Sequence, residues 1–282
     1  MSSVLQASPH HNLLLQADAT AAARQAHATD DLRVGTRMWR LAFLLGWLDI
    51  RLRYRGSVLG PFWLTLSTAV MVAALGLLYS TLFKIELRSY LPYLTLSLVL
   101  WNYLAAVVGD ACVGFTQADG IIQAVRIPFT LFATRVAVRN VLILLHNIVV
   151  AVAVFAIFRI WPGADALVAL PGLVLWLLDS FAATLLLGTF CARFRDIPPI
   201  VASVMQIAFF ISPIIWKPEL VKDGWWLPLN PFYTLLEVVR APLLGEVPGD
   251  YVWLSAVGYS IAFCALAWLV FARLRGRLAF WV

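Results

Sequence analysis

The sequence predicts an all-α integral membrane protein with six transmembrane helices, and three observations carry that prediction. Of its 282 residues, 62% are hydrophobic and only 13% charged, and the mean hydropathy is +0.86. A soluble domain runs nearer half apolar and a quarter charged, so a soluble core of this size would not hide so much apolar surface. Six segments stay apolar over the roughly 20 residues that a helix needs to cross a hydrocarbon layer about 30 Å thick. Arginine and lysine gather on one side of those segments, as membrane topology requires.

Residues 1–35 are polar and Ala-rich and lack the basic and apolar regions of a cleaved signal peptide. They are expected to form a disordered cytoplasmic tail, leaving 36–282 as the transmembrane domain. Within that domain the stretch 36–55 reads as a helix outside the spans. At about 100° per residue, Arg37, Arg40, Arg51 and Arg55 fall within an arc of about 60°, while Trp39, Leu41, Trp47 and Ile50 point elsewhere. That pattern suits an amphipathic helix lying in the headgroup layer. Leu44 and Leu48 interrupt the stripe, so a plain basic flank of the first span is the other reading.

The spans are expected at 61–83, 92–112, 132–158, 167–191, 198–216 and 251–271. Pro61, Pro92 and Pro198 suit a first helical turn, where the missing N–H has no intrahelical partner to lose. A seventh apolar piece, 225–236, is too short to cross. Its "LNPFYTLLEVVRAPLLG" reads as a broken helix, with Asn230 as cap, Pro231 in the first turn, and Pro242 with Gly245 at the end. A re-entrant or interfacial helix fits that length, and it is tolerated at membrane depth only against protein or a wet cavity.

Arg24, Arg33, Arg37, Arg40, Arg51, Arg53 and Arg55 precede the first span. Arg126, Arg135 and Arg139 belong to the loop after the second span and its margins, Arg193 and Arg195 to the loop after the fourth, and Arg273, Arg275 and Arg277 to the end. The opposite side carries only Lys84, Arg88, Arg159, Lys217, Lys222 and Arg240. Both termini are therefore expected in the cytoplasm.

The chain carries no phosphate-binding glycine loop, HExxH, GxSxG or paired-cysteine metal motif. It is not expected to hydrolyse ATP by itself or to act as an enzyme. Cys112, Cys191 and Cys264 sit in separate apolar segments and read as small core residues. Asp110, His146 and Asp179 fall within spans, where ionisable groups are costly. They read either as a proton relay, which would make the chain a proton-coupled secondary transporter, or as bonds to neighbouring helices. The second reading is favoured, since the two halves show no repeated pattern of interrupted helices.

Five blocks then appear in order: "WLDIRLRYRGSVLGPFWLTL", "LPYLTLSLVLWNYL", "ADGIIQAVRIP", "CARFRDIPPIVASVMQIAFFISPIIW" and "LNPFYTLLEVVRAPLLG". Together, across roughly residues 36–282, they resemble the membrane subunit of polysaccharide-exporting ABC transporters, the O-antigen permease class. The resemblance implies a half-transporter of the bacterial inner membrane. Two copies would form a channel and dock two copies of a separate ATP-hydrolysing subunit, which would bind the ATP and magnesium. The substrate would be a glycan on undecaprenyl pyrophosphate, either O-antigen or a capsular polysaccharide or teichoic acid. No cofactor is implied in this chain.

The resemblance also implies roles for the pieces already isolated. A cytoplasmic coupling helix would hold Gln117, Asp119, Ile121, Ile122 and Arg126, and it would insert into the ATPase. A periplasmic gate of short helices would hold Asn230, Pro231, Phe232, Tyr233, Glu237 and Arg240. Arg37, Arg40, Arg51 and Arg55 are expected to hold the interface helix on anionic lipid, each contact contributing about 1 kcal/mol. They are also expected to receive the pyrophosphate headgroup in arginine forks. Thr65, Thr68, Val72 and Tyr79 share one face of the first span, and Ser203, Gln206 and Phe210 one face of the fifth. These faces read as the glycan path, mixing hydroxyl, amide and aromatic groups that permit sliding. The other reading is that the hydroxyls bond helix to helix.

Overall fold

In a bilayer every backbone N–H and C=O must find a partner inside the protein, so long apolar segments have little choice but helix. The computed structural model describes residues 20–53, 55, 62–125, 127–221 and 224–282. Among these residues there is no strand, and the α-helices follow in order as α1 (Ala21–Arg37), α2 (Trp39–Arg53), α3 (Phe62–Phe83), α4 (Leu87–Val113) and α5 (Asp119–Ala124). They continue as α6 (Phe129–Phe158), α7 (Ala169–Arg193), α8 (Ile197–Ile211), α9 (Pro231–Leu243) and α10 (Asp250–Trp281). Among the described residues α3, α4, α6, α7 and α10 are long and apolar enough to cross a membrane.

The elements depart from the expected ones in four places. Residues 21–35, expected in a disordered tail, are helical in α1, which Thr20 caps by accepting from Ala23 N at 3.3 Å. Helix α4 starts at Leu87, so Pro92 sits in its second turn instead of opening the span. Helix α10 runs on to Trp281 and carries Arg273, Arg275 and Arg277 within it. The fifth span is helical only as far as Ile211, and its 15 residues rise about 22 Å, short of the hydrocarbon thickness. Pro61, expected to open the first span, lies outside the described residues.

Helix α4 lies at the centre, packed against α3, α6, α7, α8 and α9, and α10 lies along α7. One core cluster runs from Tyr90 to Ala111 of α4 and takes in Trp176 of α7 and Leu236, Val238 and Val239 of α9. A second sits at the arginine-rich end and joins Ala28, Ala42, Phe115, Phe129, Leu185, Phe271 and Leu278. Helix α2 lies against α6 so closely that a Cβ on Gly46 would stand 3.1 Å from Arg135 O and 3.3 Å from Arg139 N, both backbone atoms. Glycine is the residue that permits this approach.

Candidate functional site

At the arginine-rich end, α1 is structural. Asp31 is buried on it and caps the start of α6, accepting from Phe129 N at 3.2 Å and Thr130 N at 3.0 Å. A carboxylate at a helix N-terminus also meets the positive end of the helix dipole. Arg275 of α10 donates to the same carboxylate at 2.7 Å, so one side chain ties three helices.

An ionic network joins α2, α4 and α6 at the same end. Arg135 grips Asp49 in a fork, Nε to Oδ2 at 2.7 Å and Nη2 to Oδ1 at 2.5 Å. Arg139, itself buried, reaches Asp49 at 3.4 Å and donates to Asp110 at 3.1 Å, while Asn140 donates to Asp110 at 3.0 Å. Arg53, at the last residue of α2, lies 3.9 Å from Asp110. A buried pair of this kind stabilises little over an apolar pair, but loss of one member is costly. Asp110 is thus bonded to a neighbouring helix, and Asp179 likewise, accepting from Ser260 of α10 at 2.7 Å. His146 differs, since its Nδ1 meets Leu142 O of its own helix at 2.7 Å. Among the described residues no hydrogen bond links any two of these three groups.

Arg37, Arg40, Arg51 and Arg55 are all exposed, and none is in an ion pair among the described residues. They do not form one stripe on one helix, because the chain breaks at Met38 between α1 and α2. The loop after α4 makes a 3-10 turn, Thr116–Ala118, and then α5. Gln117 and Asp119 are exposed there, Ile122 is half-buried against the second core, and Ile121 and Val125 present 37% and 54% of their surface. Arg126 lies outside the described residues.

The two expected path faces do not meet. Thr65 donates to His146 O at 3.3 Å and Thr68 to Asn147 Oδ1 at 3.4 Å, and both threonines and Val72 are buried. Tyr79 stacks on Phe83 with ring centroids 5.4 Å apart. This face of α3 therefore looks into the protomer, and its hydroxyls bond helix to helix, which corrects Thr65 and Thr68 as path-lining residues. On α8, in contrast, Ser203, Gln206 and Phe210 face outward, Phe210 with 63% of its surface exposed. A cysteine at Ser203 or Gln206 is expected to react with a water-soluble maleimide several times faster than one at Thr68, in a chain whose own three cysteines are serine. Equal rates at all three positions would contradict these orientations.

At the opposite end, the chain leaves helix at Ser212 and runs irregularly to Trp216. Side chains from elsewhere take up its carbonyls. Tyr90 Oη donates to Ile215 O at 2.6 Å, Tyr93 Oη to Pro213 O at 2.7 Å and Trp216 O at 3.0 Å, and Arg240 Nη1 to Pro213 O at 2.6 Å. Arg240 is wholly buried, sits 4.4 Å over the Tyr93 ring, donates to Ser97 Oγ at 2.8 Å and is paired with Glu237. Asn230 caps α9 by accepting from Phe232 N at 3.0 Å and Tyr233 N at 3.3 Å, and it donates to Ser212 Oγ at 2.9 Å. Pro231 is exposed at the helix start, Phe232 packs edge-on to Trp101, and Tyr233 is buried. The sequence reading singled out α9 but missed Tyr90, Tyr93 and Ser97. A phenol in an apolar run, needing a partner for its O–H, was the available signal.

Two comparisons of the sequence with known proteins found matches. The family described as ABC-2 type transporter matches residues 40–244. The O-antigen export system permease protein RfbA of Myxococcus xanthus is 22% identical over 197 residues, which is 68% of this chain and 76% of that protein.

Proposed function

Since the chain belongs to the ABC-2 type transporter family, we propose that it is the membrane half of an exporter of lipid-linked polysaccharide, of the O-antigen class, driven by a separate ATPase subunit. The observation that carries this reading is the similarity to a permease named for O-antigen export, spread over two thirds of the chain. The absence of a phosphate-binding glycine loop from the sequence supports a separate source of ATP hydrolysis. Bacterial inner-membrane placement, with the arginine-rich end in the cytoplasm, follows the positive-inside rule.

In this reading two copies face each other across α8, and Ser203, Gln206 and Phe210 line the glycan path. Sugars present hydroxyl rims and C–H faces, which an amide and an aromatic ring meet without holding tightly. Arg37, Arg40, Arg51 and Arg55 meet the pyrophosphate headgroup, and α9 with Glu237 and Arg240 closes the far side. The exposed edge of α5 and its end, Ile121 and Val125 beside Asp119, is the surface offered to the ATPase, with Gln117 and Ile122 around it and Arg126 next in the sequence.

The test is reconstitution of this chain with a candidate ATPase subunit. Substituting Asp119 and Arg126 together by alanine is expected to lower substrate-stimulated ATP hydrolysis about tenfold, equivalent to about 1.4 kcal/mol of coupling, with membrane insertion unchanged. ATP hydrolysis by this chain alone, or full coupling in the double variant, would overturn the reading.

A further inference from the structure

Cys112 and Cys191 read as unrelated core residues in the sequence, but the fold brings them together. Cys112 lies in the last turn of α4 and Cys191 in the last turn of α7, both at the arginine-rich end. The two helices pack against each other, and both cysteines are buried. Both line one cavity of about 350 Å³, together with Thr116, Asp119, Arg195 and Trp281. The third cysteine, Cys264, is elsewhere, in contact with Asp179 in the interior of α10.

A disulfide needs Cβ atoms about 3.5–4.5 Å apart and sulfurs about 2.05 Å apart. Two thiols that line one small cavity, each near the end of one of two packed helices, are placed for that geometry to be reached. The cavity supplies what buried cysteines usually lack, a space in which a small oxidant can reach sulfur. Its polar lining from Thr116, Asp119 and Arg195 suits a hydrogen-bonding guest.

We propose that Cys112 and Cys191 form a reactive dithiol that hydrogen peroxide closes to a disulfide, tying the ends of α4 and α7 beside the loop that carries α5. In the first step one sulfur, as thiolate, attacks a peroxide oxygen; the O–O bond breaks and the departing hydroxide takes up a proton as water, leaving a sulfenic acid. The second thiol then attacks the sulfenic sulfur, the S–O bond breaks, and a second water leaves. Two thiols are oxidised by two electrons in all, and one peroxide is reduced to two waters. A reducing compartment returns the pair to thiols, so the cross-link records oxidant exposure. The chemistry belongs to this chain alone and stands independently of the exporter reading.

The experiment uses the full chain in nanodiscs. After peroxide treatment and unfolding in detergent, maleimide is expected to label Cys264 alone, and all three cysteines once a reductant has been added. Mass spectrometry is expected to find the peptides of Cys112 and Cys191 joined within one chain. Dibromobimane, which fluoresces when it bridges two neighbouring thiols, is expected to light wild type and Cys264→Ser, and to fall to background in Cys112→Ser and Cys191→Ser. Three labelled thiols after peroxide, a disulfide joining two copies, or bimane fluorescence that survives Cys112→Ser would each overturn the proposal.

Discussion

Arg240→Met is expected to cost about 3–5 kcal/mol, the penalty typical of breaking a buried ion pair by removing one partner. Arg240 is wholly buried and serves Glu237, Ser97 Oγ and Pro213 O at once. Its loss leaves the Glu237 carboxylate without its cation, Ser97 Oγ without its donor, and Pro213 O with one donor, Tyr93, in place of two. Helix α9 should then loosen from α4, and the thermal midpoint of the purified protein should fall sharply. The double variant Arg240→Met with Glu237→Met should recover much of that loss, because an apolar pair of similar volume carries no stranded charge. Arg240→Lys should fall between, since an ammonium keeps the charge but not the fork. A double variant as unstable as the single one would show that the hydrogen bonds to Ser97 and Pro213, not the ion pair, hold α9 in place.

Asp31→Ala is the second large effect, expected at about 3 kcal/mol from the stranded cation and the lost cap together. The substitution takes the acceptor from Phe129 N and Thr130 N at the start of α6 and leaves Arg275 without its partner. Asp31→Asn keeps an acceptor oxygen and should lose less. Limited proteolysis offers an independent readout, as α1 released from α6 and α10 should be cut between Ala21 and Arg37 long before the spans. A protein whose α1 stays protected in Asp31→Ala would refute the tie between three helices.

These two residues mark the limits of what reads locally. Asp31 lies in a stretch that composition assigns to a disordered tail, because alanine, polar residues and a few acids carry no hydrophobic stripe. Its partners, Thr130 and Arg275, are about 100 and 240 positions away. The ionic network has the same character, since Asp49, Asp110, Arg135 and Arg139 read singly as a flank, a span end and a basic loop. The face of α3 is a different case. A helical wheel correctly places Thr65, Thr68 and Val72 together, yet says nothing of what that face meets, and it meets α6.

What the sequence by itself determined is the class of the fold, the approximate places of the spans and the special status of α9. Those follow from local physics: a bilayer demands that each segment satisfy its own backbone, so apolar length alone specifies helix. Where the fifth helix stops is a tertiary matter. Backbone can leave helix at Ser212 only because Tyr90, Tyr93 and Arg240 bring donors to the freed carbonyls. Those donors come from α4 and α9, and only packing sets them beside residues 212–216. The meeting of Cys112 and Cys191 at one cavity and the burial of Asp31 were decided in the same way, by contacts between segments that share no pattern along the chain.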